Sequence, residues 1–276
     1  MTATAHPVRI GVALERGTPH IAHVGERLDF VEYGYHAATG IPDWMGNMAR
    51  RQDAECVLHP LDVNVGHAEP LDFEWLSALR RDSSALQARA CVSDGFYWYH
   101  GSRLSTWPRP VDFALSSKSA GQVALALQAA TSIPFRVENP PVEWMPGCPD
   151  VWTYFDGVLT QGGVGLCLDL SHLVQFEWNV HQRRPILPES FAWEAVQEVH
   201  MSGYLAVQLR GHRLLIDQHD TVPGDDQFRL LGQVLERLPR STILDVCLEM
   251  EPHNVDEIDR YVRRLRAFLK DAGRGA

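Results

Sequence analysis

The sequence has no run of about 18 apolar residues, the minimum for a bilayer-spanning helix, so no part of it is expected to cross a membrane. It also lacks long basic runs. The longest are pairs such as Arg80-Arg81 and Arg263-Arg264, in a chain of 276 residues with Lys+Arg 25, Asp+Glu 35 and a net charge of −10. Displacing counterions from phosphates needs a basic face, so nucleic acid is not an expected partner, and neither is a membrane. Cysteine is scarce and scattered: Cys56, Cys91, Cys148, Cys167 and Cys247 form no C-x-x-C. An odd set of this kind reads as reduced core thiols in a cytoplasmic protein. The segment Met1-Thr-Ala-Thr-Ala-His-Pro has neither a basic n-region nor a long apolar h-region, so no secretory signal is read there. Neither G-x-G-x-x-G nor G-x-x-x-x-G-K-[ST] follows a strand-like run, which argues against an open, doubly wound nucleotide-binding sheet.

What is present is globular: 45% apolar and 22% charged residues, with no linker, low-complexity block or repeat, so residues 1–276 are read as a single domain. Eight strand-like runs recur, at 8–15, 29–35, 55–63, 88–95, 135–141, 163–172, 196–204 and 241–251. Several are almost continuously apolar, as in Gly165-Leu-Cys-Leu-Asp-Leu, the signature of parallel strands buried on both faces. Helix patterns lie between them, including 71–86, 118–132 and 225–238. The clearest is the last, where Val255, Ile258, Val262, Leu265 and Leu269 share one face behind an Asn254 N-cap. Eight strands alternating with helices in one chain of this length predict an α/β fold, the (β/α)8 TIM barrel. Stretches 101–117 and 175–188 follow strand ends and read as loops. Their Arg103, Trp107, Arg109, Trp178, Arg183 and Arg184 are candidates for contacting a substrate, and the same composition fits solvated loops.

Chemistry gathers at the C-terminal ends of the strands, where apolar runs break into His, Asp or Glu. The third strand carries His59, the fifth Glu138 and the sixth Asp169 and His172. The seventh carries His200, followed in the next connection by Asp217 and His219, and the eighth ends in Glu249 and Glu251. A barrel brings these side chains to one mouth. Carboxylates and imidazoles crowded there need a cation or dense hydrogen bonding to offset repulsion and desolvation. A divalent metal does this most directly, and a mixed His/carboxylate shell suits iron, zinc or manganese rather than calcium. In Asp217-x-His219 an extended backbone points both side chains to one side, so they can share an ion.

The ordered set Val-Leu-His59, Val-Ser-Asp94, Val-Glu138-Asn-Pro, Gly165-Leu-Cys-Leu-Asp169-Leu-Ser-His172, Val-His200-Met-Ser-Gly-Tyr and Leu-Leu-Ile-Asp217-Gln-His219-Asp resembles the multinuclear non-haem iron-dependent oxidative enzymes, formerly DUF692, which include the methanobactin maturation oxidase. The likeness runs from Phe30-Val-Glu32 to Leu248-Glu249. It implies a TIM barrel holding two or three irons (Fe2+/Fe3+), with O2 as co-substrate. Members oxidise cysteine, and sometimes other residues, of ribosomally made precursor peptides. Many work with a separate leader-recognition protein. Carried over by motif, Glu138, Asp169, His200 and Glu249 would hold a central iron. His172, which stands where relatives often have Asn, would hold a second iron with Asp217 and His219. His59 would belong to a third, bridged through Glu138. The chain departs at Ser93-Asp94-Gly95, where relatives usually read Ser-Asp-His and use that His as a ligand. His100 and Glu251 are further candidate ligands, and a Gly95→His exchange is expected to raise metal occupancy.

Three functions stand at this point. The first is an iron-dependent oxidase or oxygenase acting on a peptide or on a small thiol or amino-acid-like substrate. The second is a zinc- or manganese-dependent isomerase, epimerase or phosphodiesterase on the same barrel, needing neither O2 nor reductant. The third is a metal-binding scaffold that has lost catalysis, an idea supported by Gly95 and opposed by the intact remainder.

Overall fold

The computed structural model describes residues 8–67, 71–96, 99–100, 103–104, 112–142 and 144–274, with only the backbone at 99–100 and 103–104. The chain opens with strands β1 (Val8–Leu14), β2 (Phe30–Tyr35), β3 (Glu55–Pro60) and β4 (Ala90–Asp94). Strands β5 (Tyr99–His100) and β6 (Arg103–Leu104) make a short antiparallel ribbon. Then come β7 (Phe135–Glu138), β8 (Gly165–Asp169) and β9 (Val196–Met201). An antiparallel hairpin, β10 (Tyr204–Leu209) and β11 (His212–Asp217), precedes the last strand, β12 (Leu244–Leu248).

Apart from the ribbon and the hairpin, the strands run parallel and close into a barrel in the order β1-β12-β9-β8-β7-β4-β3-β2. The sequence-based expectation of a (β/α)8 barrel is therefore met. Helices α1 (Asp43–Gln52), α2 (Phe73–Leu86), α3 (Phe113–Thr131), α4 (Val151–Leu159), α5 (Leu170–His181), α6 (Asp225–Arg237) and α7 (Val255–Asp271) cover the outside. A 3-10 turn at Pro19–His23 stands where a helix after β1 would be. Asp72, Asp112, Asp150 and Asn254 cap α2, α3, α4 and α7 by accepting backbone N–H groups. None of the helices is long and apolar enough to cross a membrane.

Two loop expectations need correction. Residues 175–181 are helical, because α5 starts at Leu170 and buries Leu170, Leu173, Val174 and Phe176 at helical spacing against the barrel. Residues 113–117 form the first turns of α3, started by the Asp112 cap rather than at Lys118. The strand expected over 163–172 ends at Asp169 for the same kind of reason, since that residue caps α5.

Alternation along the strands sorts the barrel interior into layers. At the floor, Arg136 donates to Glu198 and, at 2.7 Å, to Asp245, while Arg9 and Arg89 reach Asp245 at 2.8 and 2.7 Å. On β7 and β9, Arg136 and Glu198 lead two residues on to Glu138 and His200, while the other strands carry an apolar layer between floor and mouth, built from Ala13, Phe30, Val57, Ala90, Val92, Cys167 and Cys247. Gly11 admits the Phe30 ring, whose atoms would lie 2.5 Å from a Cβ placed there. Two residues further, the interior turns into the His and carboxylate layer of the mouth.

Candidate metal centre

The barrel strands place Glu32, His59, Asp94, Glu138, Asp169, His200 and Glu249 in this upper layer, all buried. Glu138, Asp169, His200 and Glu249 bring ligand atoms within 4.8 Å of one another, as do His59, Asp94 and Glu138. The first group is the quartet that the family resemblance implies for a central iron. Asp217, at the end of β11, reaches over the mouth. Its Oδ2 lies 3.6 Å from His172 Nε2 and 3.4 Å from His219 Nε2, which brings together the expected second set. His59 Nε2 is 3.7 Å from Glu138 Oε2 and 3.9 Å from Asp94 Oδ2.

Each of the four histidines is held by one ring nitrogen and presents the other to the cluster. His59 Nδ1 donates to Glu32 Oε1 at 3.1 Å, and His200 Nε2 donates to Glu32 Oε2 at 3.2 Å. His172 Nδ1 donates to the Asn139 carbonyl at 2.8 Å, and His219 Nδ1 donates to Glu251 Oε2 at 3.0 Å. Fixing one nitrogen sets the tautomer and ring orientation of the other, the usual support of a metal-bound imidazole. The carboxylates are divided in the same way. Asp169 Oδ1 accepts the His172 backbone N–H at 2.6 Å, capping α5 and leaving Oδ2 without a partner. Asp217 Oδ1 accepts from the Ser202 hydroxyl at 2.9 Å, so that Oδ2 faces the two histidines. Asn139 clamps β7 to β8, its amide accepting from Asp169 N at 2.8 Å and donating to Asp169 O at 3.0 Å.

The polar atoms left over converge on the same space. His59 Nε2, Asp94 Oδ1, Glu138 Oε2, Asp169 Oδ2 and Glu249 Oε2 are buried without a hydrogen-bond partner. Buried polar atoms without partners are costly, and a cation among them removes that cost. Carboxylates outnumber imidazoles here even if every ring is protonated. Burial disfavours the charged rings, but the surrounding carboxylates outweigh it, raising His59 to about 9 and holding His172, His200 and His219 well above the ordinary value. Burial and the Glu138 charge push Asp94 up to about 7. Burial opposes ionisation of Glu249 and Asp217, yet the neighbouring histidines hold both below the usual carboxylate range. This donor set fits two or three divalent ions of the first transition row.

Glu32 and Asp94 are absent from the candidate ligands read from the sequence, although Asp94 ends β4. Glu32 is a lone charge inside Phe30-Val-Glu-Tyr, and its inward register with Phe30 is the signal that could have found it. Glu251 sits beside His219 and Glu249 and orients the His219 ring. Trp178 and Arg183 lie apart from the mouth, in a second cavity. Trp107, Arg109 and the side chains of His100 and Arg103 lie outside the described residues. The surroundings of Gly95 bear on its replacement. A Cβ there would fall 1.6 Å from Tyr154 Oη, the hydroxyl that donates to the Gly95 carbonyl at 2.8 Å. A histidine at this position would have to displace the Tyr154 side chain, and Asp94 faces His59.

A closed barrel with a buried His/carboxylate cluster at the C-terminal ends of its strands defines a TIM-barrel protein whose mouth could hold metal ions. The sequence matches the family described as RiPP precursor modification enzyme MbnB/TglH/ChrH over residues 10–268, and the chain belongs to that family. No curated protein matches it in sequence. Endonuclease IV from Thermus thermophilus is similar in structure, with a TM-score of 0.58 at 16% identity over 95% of this chain and 99% of that one. The apo form of 3-keto-D-glucoside 4-epimerase from E. coli gives a TM-score of 0.57 at 14% identity, over 94% and 99% of the two chains. A xylose isomerase-like TIM barrel protein from Mycobacterium smegmatis in complex with magnesium gives 0.55 at 11% identity, over 99% of each. At such identities these likenesses concern the fold alone.

Proposed function

We propose that the chain is an O2-dependent oxidoreductase that carries two or three irons and modifies a cysteine or another residue of a ribosomally made precursor peptide. The carrying observation is the set of four imidazoles turned toward one carboxylate cluster, in which Asp94 Oδ1, Glu138 Oε2, Asp169 Oδ2 and Glu249 Oε2 are buried without a hydrogen-bond partner. Glu138, Asp169, His200 and Glu249 would hold one ion, and His172, Asp217 and His219 a second. His59, Glu138 and Asp94 would hold a third, with Asp94 in place of the histidine that relatives use. Two imidazoles and one carboxylate that leave open positions suit iron(II) oxygen chemistry. Bound iron supplies electrons for reducing O2 and a Lewis-acidic position for a substrate thiolate or carboxylate.

The protein's part is to hold and to exclude. Glu32, Asn139, Ser202 and Glu251 fix the donors, so little reorganisation accompanies loading. The mouth encloses about 180 Å³ among Glu15, Leu61, Pro141 and the ligand residues. Sites that enclose a whole small-molecule ligand span about 300–1,000 Å³, so this space suits the tip of one side chain presented by a larger substrate. Among the described residues, every strand belongs to the barrel, the hairpin or the ribbon. A separate leader-recognition protein is the partner this reading carries. Five buried free thiols suit a cytoplasmic, reducing setting.

The test is elemental analysis of anaerobically purified protein, followed by oxygen uptake with a cysteine-containing peptide. About two irons per chain with peptide-dependent uptake is expected, and about three if His59 is loaded. Zinc or manganese alone after iron-rich expression, with turnover indifferent to O2, would refute the proposal and favour an isomerase, epimerase or phosphodiesterase.

A further inference from the structure

A second cavity, of about 400 Å³, lies outside the barrel between α5, the β10–β11 hairpin and α6. Its walls carry Arg183, Arg184, Arg213 and Arg229 beside Trp178 and Tyr204, in a chain whose net charge is −10. Arg183 is neutralised by Glu177 at 2.7 Å. Among the described residues, the other three arginines have no carboxylate partner. The one carboxylate on the wall, Asp226, already accepts the Tyr204 hydroxyl. The Arg213 guanidinium lies 5.5 Å over the Trp178 ring, a contact that holds the cation without cancelling its charge.

The walls are also fixed. Trp178 Nε1 donates to the Arg213 carbonyl at 3.0 Å. Asn179 exchanges two hydrogen bonds with the Leu215 backbone, at 2.8 and 2.9 Å. Three unpaired guanidinium groups around an aromatic and aliphatic pocket are suited to an oxyanion on a short apolar stem, because arginine donates two parallel N–H bonds to a carboxylate. The elements that form the cavity run directly into the metal centre. Six residues of α5 separate Trp178 from His172, about 9 Å along a helix. Four residues of β11 separate Arg213 from Asp217, about 14 Å along a strand.

From this we infer that the cavity is a specificity subsite for an acidic side chain of the peptide substrate, three or four residues from the residue being modified. An extended peptide advances about 3.3–3.6 Å per residue, so three or four residues cover the distance between the two sites. The inference rests on the peptide-modifying reading above, but it concerns binding and not the oxidation. Free phosphate shares the oxyanion chemistry, and the experiment separates the two.

The metal-loaded protein is titrated anaerobically by calorimetry with capped tetrapeptides Glu-Gly-Gly-Cys and Cys-Gly-Gly-Glu, with their Gln counterparts, and with inorganic phosphate. In one order the Glu peptide should bind about tenfold more tightly than its Gln counterpart, the scale of one charged hydrogen-bonded contact. That preference should vanish in the Arg213→Gln/Arg229→Gln variant and shrink in Arg184→Gln, while metal content per chain stays at the wild-type value. Equal binding of Glu and Gln peptides in both orders overturns the inference, as does a preference that survives in the double variant or an absence of detectable Glu-peptide binding. Phosphate binding more tightly than either Glu peptide, and lost in the double variant, also overturns it by making the cavity a phosphate site. Glu-selective binding by a protein without iron or oxygen uptake leaves the subsite standing and removes the oxidative reading. Iron-dependent oxidation without Glu selectivity does the reverse.

Discussion

Replacing Glu32 with glutamine keeps the side chain's shape and removes its ability to accept from two rings at once. The carboxylate accepts from His59 Nδ1 on one oxygen and from His200 Nε2 on the other, at 3.1 and 3.2 Å. In the Glu32→Gln protein one of those oxygens becomes an NH2 group, which donates. The ring facing it must then give up its own N–H on that side and carry the proton on the nitrogen that faces the metals. One ligand nitrogen is lost as a donor although no ligand residue has been replaced. Loss of an outer partner of this kind costs about 10–100-fold in metal affinity, or roughly 1.4–2.8 kcal/mol at 1.4 kcal/mol per tenfold. The loss should fall on the ion held by His200 or the one at His59, and spare the ion held by His172, Asp217 and His219, whose rings Glu32 does not touch. The assay is metal titration against a competing chelator, with elemental analysis after dialysis and a melting curve to establish the fold. An E32Q protein that keeps wild-type affinity and stoichiometry at every site would refute the argument that Glu32 sets both tautomers.

Three further outcomes can be measured. Asp217→Ala should lose about one metal per chain and all turnover, while the metal-free variant melts near the metal-free wild type, because Asp217 ends a hairpin outside the barrel core; full metal content with activity would sink the second site. Gly95→His should lower the melting midpoint by roughly 3–10 °C through overpacking against Tyr154, and calorimetry should find no gain in metal. Loading metal at pH 7 should release more than one proton per chain, because carboxylates hold the histidines of the metal-free site protonated and a ligand imidazole must be neutral. Metal affinity therefore rises with pH. In the metal-free protein, the stabilising contribution of the raised His59 pKa is complete below about 6.5 and is lost as pH rises through about 9. Titration in buffers of different ionisation enthalpy reads the proton count.

The barrel and most of its candidate ligands are legible in the sequence because most of them interrupt an apolar run at a fixed place, the C-terminal end of a strand. His59, Glu138, Asp169 and His200 all fit that rule. Glu32 does not, since it sits inside its strand, and only its inward register beside Phe30 marks it. Asn139 reads as the start of a turn before Pro140, whereas its amide joins two strand ends and its carbonyl holds His172. The arginine cavity is hidden for another reason. Trp178, Arg213 and Arg229 come from three separate elements, and reading 175–188 as a loop conceals the helix that brings Trp178 against β11. Gly95 shows the converse: the missing ligand is plain in the sequence, but the Tyr154 hydroxyl that a larger residue would have to displace is visible only once α4 is packed against the barrel.

The order of layers inside the barrel explains how a crowded set of charges can sit in the interior of a stable fold. On β7 and β9 two residues, about 7 Å, separate Arg136 from Glu138 and Glu198 from His200, whereas on β12 Asp245, Cys247 and Glu249 face inward in turn, so floor and mouth are about 13 Å apart along that strand. The apolar layer between them, with Phe30, Val57 and Val92 at its centre, belongs to neither group and is complete without metal. His200 Nε2 and Glu198 Oε1, 3.9 Å apart, bring the two charged layers into contact. The floor salt bridges and the packing of the helices on the barrel therefore stabilise the fold whether or not the mouth is loaded. The mouth works against them when empty, because its carboxylates are buried with too few partners. Metal bound only by the folded chain adds stability in proportion to the logarithm of its concentration over Kd, so its removal lowers the melting temperature and leaves a folded barrel.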